Sequence, residues 1–311
     1  MLKILNFKNI VNIILGIIFF IISINYFFDY EFLNEYFYNI NSVKLSFILG
    51  YIFFLFHILL NFYRWNILLS NSQNIVANYK INFSPFFSMI FINFVFPFKI
   101  GDLYRIFSTK FINRKKLISI IVFERILDMS IILLILYIGI FFFLLRINFD
   151  YFIYFFITSL IGVLIFGYII FISRKIYIII NLKNYILNFI EELRINFFFI
   201  IKITILSWTS ELIFFYIVFK EIFSKFLFEE LFICHSSSIL AIILPSGPGL
   251  IGPVDFTING ILSYYGHSPQ DISIFIYLFH IFIFIVCVKI FFLFLFIYPL
   301  KMMKQKLFKK Y

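Results

Sequence analysis

Leu244-Pro245-Ser246-Gly247-Pro248-Gly249-Leu250-Ile251-Gly252-Pro253-Val254-Asp255 sets three glycines, three prolines and a carboxylate inside apolar sequence long enough to enter a bilayer. No continuous helix runs through such a stretch, because proline removes a backbone donor and clashes with the preceding turn, while glycine permits bends that other residues resist. Broken backbone at membrane depth is stable only where it is buried in protein or lines a wet cavity. The stretch therefore points to a path for a substrate or ion.

The surrounding chain is a membrane protein by composition: 63% of its 311 residues are hydrophobic and 13% are charged, with a mean hydropathy of +1.06. This profile is that of a polytopic integral membrane protein and excludes a soluble globular enzyme. The 52 phenylalanines accompany abundant Ile, Asn, Lys and Tyr, a bias of AT-rich coding rather than an aromatic box. Cys234 and Cys287, both in apolar segments, read as inert fillers rather than a disulfide or a metal pair.

Lys3 and Lys8 precede the apolar run Ile10 to Phe28, which is too long for a cleaved signal and has no small-residue cleavage site, so it reads as an anchor. Leu45 to Leu69, Leu117 to Leu145, Tyr151 to Ile172, Phe197 to Phe219 and Ile272 to Leu300 are each able to cross ~30 Å of hydrocarbon at ~1.5 Å per residue. The sequence thus predicts about six full spans. Two further apolar stretches, Phe83 to Phe98 and Leu231 to Tyr264, are interrupted by Pro and Gly and fit re-entrant helical hairpins that enter and leave on one side.

Lys and Arg collect in cytoplasmic loops. That rule places the N-terminus, the loop with Lys110, Arg114, Lys115 and Lys116, the loop with Arg174, Lys175, Lys183 and Arg194, and the tail from Lys301 to Lys310 inside. Asp29, Glu31, Glu35, Asp150, Glu221, Glu229, Glu230 and Asp271 then fall outside. Both termini are cytoplasmic, the first hairpin enters from the cytoplasm and the second from outside, as in an inverted-repeat transporter. No sequence repeat links the halves, so the inversion rests on topology alone. Basic inner loops facing anionic lipid account for the net charge of +11 without nucleic acid.

Intramembrane charge carries the chemistry. Arg64-Trp65 closes the second span and reads equally as an interfacial aromatic with a snorkelling Arg or as a functional pair. In Pro97-Phe98-Lys99-Ile100-Gly101-Asp102-Leu103-Tyr104-Arg105, Gly101 can turn the chain and Asp102 can cap a helix whose first-turn amides form an anion site. Arg105 follows one turn on, able to grip a phosphate in fork geometry; the plainer reading is a cytoplasmic turn with an ordinary cap. Glu124 and Asp128 share a helical face, and Arg125 pairs with Asp128 at i,i+3. Each charge at mid-membrane costs ~2.5 to 3.5 kcal/mol, so these three either clamp two helices together or face a partner or water. Glu211, after Ser207-Trp208-Thr209-Ser210, has no cation nearby in sequence and reads as a titrating carboxylate. His57 and His280, both in apolar spans, suit packing or proton relay better than metal ligation, while His235 and His267 near the outer face carry no assignment.

The Arg64-Trp65 span end, the Pro-x-x-x-Gly-Asp-x-x-Arg turn, the Glu-Arg-x-x-Asp span and the Leu-Pro-x-x-Pro-Gly-x-x-Gly hairpin occur in an order and spacing that resembles the lysylphosphatidylglycerol synthase transmembrane-region family, or flippase-like domain proteins. The resemblance covers roughly Phe7 to Leu300. It implies a membrane domain that moves lipid: the family supplies the membrane half of bacterial multiple peptide resistance factors, and is fused to glycosyltransferases in some archaeal proteins. Asp102 and Asp255 stand where the family commonly has Glu, keeping the charge on a shorter arm.

Residues 1–311 are thus expected to form a single polytopic flippase-like domain, all-α, with two opposed hairpins meeting near the midplane. No soluble transferase half has room before Tyr311, Glu191-Glu192 lacks the spacing of prenyl-endopeptidase-like enzymes, and no His-Glu-x-x-His helix occurs, so no catalytic residues, metal or cofactor are expected. The expected substrate contacts are Arg64, Gly101, Asp102, Arg105, Glu124, Arg125, Asp128, Glu211, Pro245, Gly247, Gly249, Gly252 and Asp255. The expected partners are a membrane phospholipid or lipid-linked precursor, with an oligomer or a separate transferase also compatible.

Overall fold

The computed structural model describes residues 44–71, 79–96, 100–109, 112–147, 196–242, 244 and 250–308, and every element among them is a helix. In chain order these are α1 (Lys44–Asn71), α2 (Tyr79–Val95), α3 (Ile100–Ser108), α4 (Arg114–Ile147), α5 (Phe197–Ile222), α6 (Phe228–Ala241), α7 (Pro253–Tyr264) and α8 (Pro269–Phe308). Four segments are long and apolar enough to cross a membrane: Leu45–Ser70, Arg114–Ile147, Phe197–Ile222 and Pro269–Cys287. They coincide with four of the six expected spans. The other two, Ile10 to Phe28 and Tyr151 to Ile172, lie outside the described residues.

The two interrupted stretches form helix–break–helix pairs, α2 with α3 and α6 with α7, each packed partner against partner. α2 stops two residues before Pro97, which has no amide to continue the helix and disfavours helical backbone before it. α7 starts with Pro253 in its first turn, where a missing donor costs nothing. Gly252 just ahead has φ +116° and Leu250 φ +68°, so the chain reverses through left-handed backbone before the helix begins. The Asp255 carboxylate accepts the Gly252 N–H at 2.9 Å, tying off the entry. α7 ends in a Schellman motif: the Gly266 N–H donates to the Ser263 carbonyl and the His267 N–H to the Leu262 carbonyl, with Gly266 at φ +84°.

Phenylalanine supplies much of the core. Phe214, Phe215, Phe219, Phe275, Phe279 and Phe282 interlock α5 with α8, and a second cluster around Trp65, Leu68, Phe86, Phe87, Leu117 and Ile120 joins α1, α2 and α4. Glycine sets the closest approaches. A Cβ on Gly139 of α4 would lie 2.9 Å from Phe232 Cβ and Ile233 Cγ1 of α6, and one on Gly101 of α3 would lie 2.2 Å from the Met89 carbonyl of α2. The outward faces remain apolar, with Leu45, Ile48, Ile52, Leu133, Leu134 and Phe198 exposed, a surface suited to lipid and not to water.

At one end of the bundle Arg146 of α4 donates to Glu229 of α6 at 3.1 Å, and His267 Nε2 lies 2.7 Å from Glu230 Oε2. These two glutamates, expected on the outer side, are buried: each neutralises or binds a neighbour instead of facing solvent. Arg114 and Lys115, at the start of α4, are exposed.

Gly139→Leu and Gly101→Leu should each destabilise the protein by about 1 to 3 kcal/mol or more through overpacking, read as a lower melting temperature in detergent. Gly260, with nothing within 4 Å of an added Cβ, is the control: Gly260→Ala should stay within about 0.5 kcal/mol. Cysteines at Lys115 and Gln270, both exposed, should react with impermeant maleimide from opposite sides of the membrane, whereas one at Glu229 should react only after denaturation.

Candidate functional site

The polar positions of α1 fall on one stripe. His57, Asn61 and Arg64 are spaced by four and three residues, which puts them one above another on a helix. α5 does the same with Thr204, Ser207, Trp208 and Glu211, and α1 packs along α5, so the two stripes meet.

Asp128 of α4 sits where they join. Arg64 grips it in a fork, Nη1 donating to Oδ1 at 2.7 Å and Nη2 to Oδ2 at 3.2 Å, while Trp208 Nε1 donates to Oδ1 at 3.0 Å. Arg64 Nη1 also donates to Thr204 Oγ1 at 3.0 Å. One turn back on α4, Glu124 accepts from Arg105 Nη2 at 2.6 Å, and Arg64 Nε lies 3.7 Å from its other oxygen. The Arg105 guanidinium is 4.1 Å from the centre of the Trp65 ring, a cation–π contact in a dry site. Arg125 reaches the other way, with a second fork onto Asp102 at 3.0 and 3.1 Å and a third bond to Asp128 at 3.3 Å. Three guanidiniums thus meet three carboxylates, and the cluster is neutral. In a medium where an unpaired ion is strongly disfavoured, this matching is what permits four charges to be buried and two more, Asp102 and Arg125, to be half-buried beside them.

The cluster forms part of the wall of a cavity of about 250 Å³. Arg64, Arg105, Glu124, Arg125, Asp128 and Glu211 all line it, and so do Met89 and Asn93 of α2, Ser238, Ile239 and Ile242 of or beside α6, and Leu250 and Val254 around the start of α7. Both broken helix pairs therefore border one space. Phe54, Phe86, Ile90 and Phe279 make much of the rest apolar. Two donors of the cluster, Nε of Arg64 and of Arg105, have no hydrogen-bond acceptor among the described residues.

Several expectations are corrected here. Arg64 and Trp65 are 3% and 0% exposed, so the interfacial reading fails: these side chains face the protein core, not headgroups. The first-turn amides of α3 are not an open anion site, because the Gly101 N–H donates to Asn93 Oδ1 at 2.7 Å and Asp102 holds Arg125. Gly101 serves close packing. Glu211 does have an ionisable neighbour, His57, whose Nδ1 is 3.7 Å away. Gly252 and Asp255 lie behind the cavity wall, where Asp255 is fully buried and meets His280 Nε2. Pro245, Gly247 and Gly249 lie outside the described residues. Trp208, Asn61 and Thr204 were not singled out as site residues, although the spacing of polar residues along α1 and α5 marks them.

The family model described as the lysylphosphatidylglycerol synthase TM region matches residues 10–290, and the chain belongs to that family. No curated protein and no solved structure matches it.

Arg64→Met leaves Asp128 buried with one cation fewer and should cost about 3 to 5 kcal/mol, as breaking a buried pair does. Arg64→Met with Asp128→Asn keeps the cluster neutral and leaves an acceptor for Trp208, so it should unfold at a higher temperature than the single variant. A double variant less stable than the single one would show that neutrality is not what holds the cluster.

Proposed function

We propose that this membrane protein translocates an anionic phospholipid or a lipid-linked precursor carrying phosphate. The observation that carries the reading is the shared cavity: three guanidiniums and an apolar wall, bordered by both interrupted helix pairs. Membership of a lipid-related membrane family supports it. In this reading α2–α3 and α6–α7 are re-entrant hairpins entering from opposite faces, within about six full spans and with both termini cytoplasmic in the cell membrane. Phosphate oxygens meet Arg125 in front of the fixed charges of Arg64 and Arg105, and acyl chains follow the apolar wall.

Among the three guanidiniums Arg125 is the one suited to exchange partners. Its side chain is 33% exposed, against 4% for Arg64 and 1% for Arg105. A partly solvated ion can leave Asp102 for a phosphate at less cost than a dry one. Arg64 and Arg105, by contrast, fix the geometry and the sign of the wall.

A second reading is that the chain docks a separate glycosyl- or aminoacyl-transferase without transporting. The exposed Arg114 and Lys115 at the mouth of α4 favour it as a contact for an acidic partner. In neither reading is the chain itself an enzyme.

Purified protein in liposomes, scored for movement of labelled phosphatidylglycerol against labelled phosphatidylcholine, tests the first reading. Arg125→Ala should abolish movement at a smaller cost in stability than Arg64→Met, since Arg125 is one-third exposed and Asp128 keeps its fork with Arg64. If its melting temperature falls in step with its activity, Arg125 is a clamp and the assignment fails. Wild-type protein that moves no lipid but co-purifies with a transferase favours docking.

A further inference from the structure

Beyond the neutral cluster, the same cavity wall carries one acid–imidazole pair whose hydrogen bonds leave room for a proton. His57 Nδ1 lies 3.0 Å from the carbonyl oxygen and 3.0 Å from the hydroxyl of Ser207, and 3.7 Å from Glu211 Oε2. A carbonyl only accepts, so Nδ1 bears the hydrogen. The lone pair of Nε2 then accepts from Asn61 Nδ2 at 3.0 Å. The other end of that amide, Oδ1, is buried with no donor among the described residues. A half-turn of the Asn61 amide exchanges the two: Nδ2–H serves a neutral ring, and Oδ1 serves a ring protonated at Nε2. The site is built to satisfy either protonation state.

The groups facing this pair determine how much charge it takes. Along α1 the next turn is Arg64, which together with Arg105 of α3 and Glu124, Arg125 and Asp128 of α4 belongs to the balanced cluster. From α5 come Ser207, Trp208 and Glu211, and from α2 the neutral Asn93. α6 supplies Ser238 and the buried His235, whose two ring nitrogens have no partner among the described residues and which is close enough to feel charge on His57. Two imidazolium ions there would repel each other. On α8, His280 is engaged with Asp255 of α7, and Lys289 lies over the Tyr51 ring, 4.4 Å from its centre. Glu211 adds a carboxylate beside His57, outside the balanced cluster, and a guest phosphate would bring further negative charge into an apolar space.

We propose that His57, Glu211 and Asn61 form a proton-binding site of the cavity, and that an anionic lipid headgroup and one proton bind together. This rests on the reading that the cavity receives a phosphate-bearing lipid. The proton comes from water onto Nε2, Asn61 turns to accept it, and the imidazolium paired with Glu211 offsets the charge of the guest. Linkage then raises anion affinity by up to about tenfold per pH unit on lowering the pH through the titration.

Trp208 supplies the readout, since its ring is 5.4 Å from that of His57 and an imidazolium quenches a neighbouring indole far more than a neutral imidazole does. The full chain in phosphatidylcholine nanodiscs should show an acid quench of tryptophan fluorescence that disappears in His57→Gln and in Trp208→Phe. Replacing part of the phosphatidylcholine with phosphatidylglycerol should raise the midpoint by about one pH unit, at the low end of coupling between sites. At high salt that rise should be absent in Arg125→Ala. Glycerol phosphate added to phosphatidylcholine discs is the second arm: an equal rise there supports the coupling and assigns it to the headgroup alone. No quench dependent on His57, an equal midpoint in all three settings, or a rise that persists in Arg125→Ala at high salt and so belongs to the membrane surface, would each overturn the proposal. A rise without lipid movement in liposomes sinks translocation and leaves the proton site standing; lipid movement without a rise does the reverse.

Discussion

Charge neutrality inside an apolar medium is the constraint on which the rest of the molecule depends. Asp128 cannot be buried on α4 unless Arg64 of α1 comes to it, and Arg64 cannot come unless α5 presents Thr204 and Trp208 beside the same carboxylate. Glu124 makes the matching demand on Arg105, which fixes α3 against α4. Four helices are thereby held in register by partners that have no comparable alternative in lipid. Hydrophobic contact alone would not do this, because hydrocarbon tails are as apolar as leucine and helices that meet only through such surfaces slide.

The consequences of that register reach the cavity. α3 is short and follows a break at Pro97, so its arginine arrives from the side rather than along a continuous helix. α7 begins at a break too, and its approach leaves Leu250 and Val254 at the cavity wall. Proline and glycine thus leave a space where regular helices would have closed on one another, and the paired ions keep that space from collapsing onto unmatched charge.

Much of this was legible in the sequence, and the limits are instructive. The breaks were, because Pro97, Pro253 and Gly252 change what the backbone can do regardless of surroundings. The face shared by Glu124 and Asp128 was, because helical spacing decides it. What sequence could not supply was pairing between distant segments: Arg64 with Asp128, Arg105 over Trp65, His57 beside Glu211. Trp65 read equally as an interfacial residue, which a tryptophan at a span end commonly is, or as part of a functional pair; the packing of α1 against α2 and α4, with Arg105 of α3 over the ring, buries it. For Glu229 and Glu230 the charge rule gave a side of the membrane but no partner, since nothing local discloses Arg146 or His267. Gly101 was expected to open an anion site, yet Asn93, eight residues earlier on the preceding helix, claims its amide. In each case a local signal was overruled by a partner from another part of the chain.

Gly139 gives the arrangement a mechanical character. Its missing side chain lets α6 seat backbone-close on α4, so the two helices behave as one stiff lever rather than as neighbours that slip. Glu124 and Asp128 lie in the first half of α4 and the Arg146–Glu229 bond at its far end, roughly 33 Å from Glu124 at about 1.5 Å per residue. A displacement of α4 at the level of Gly139 is therefore shared by α6, because no side chain stands between the two backbones. What joins these helices is the absence of a side chain.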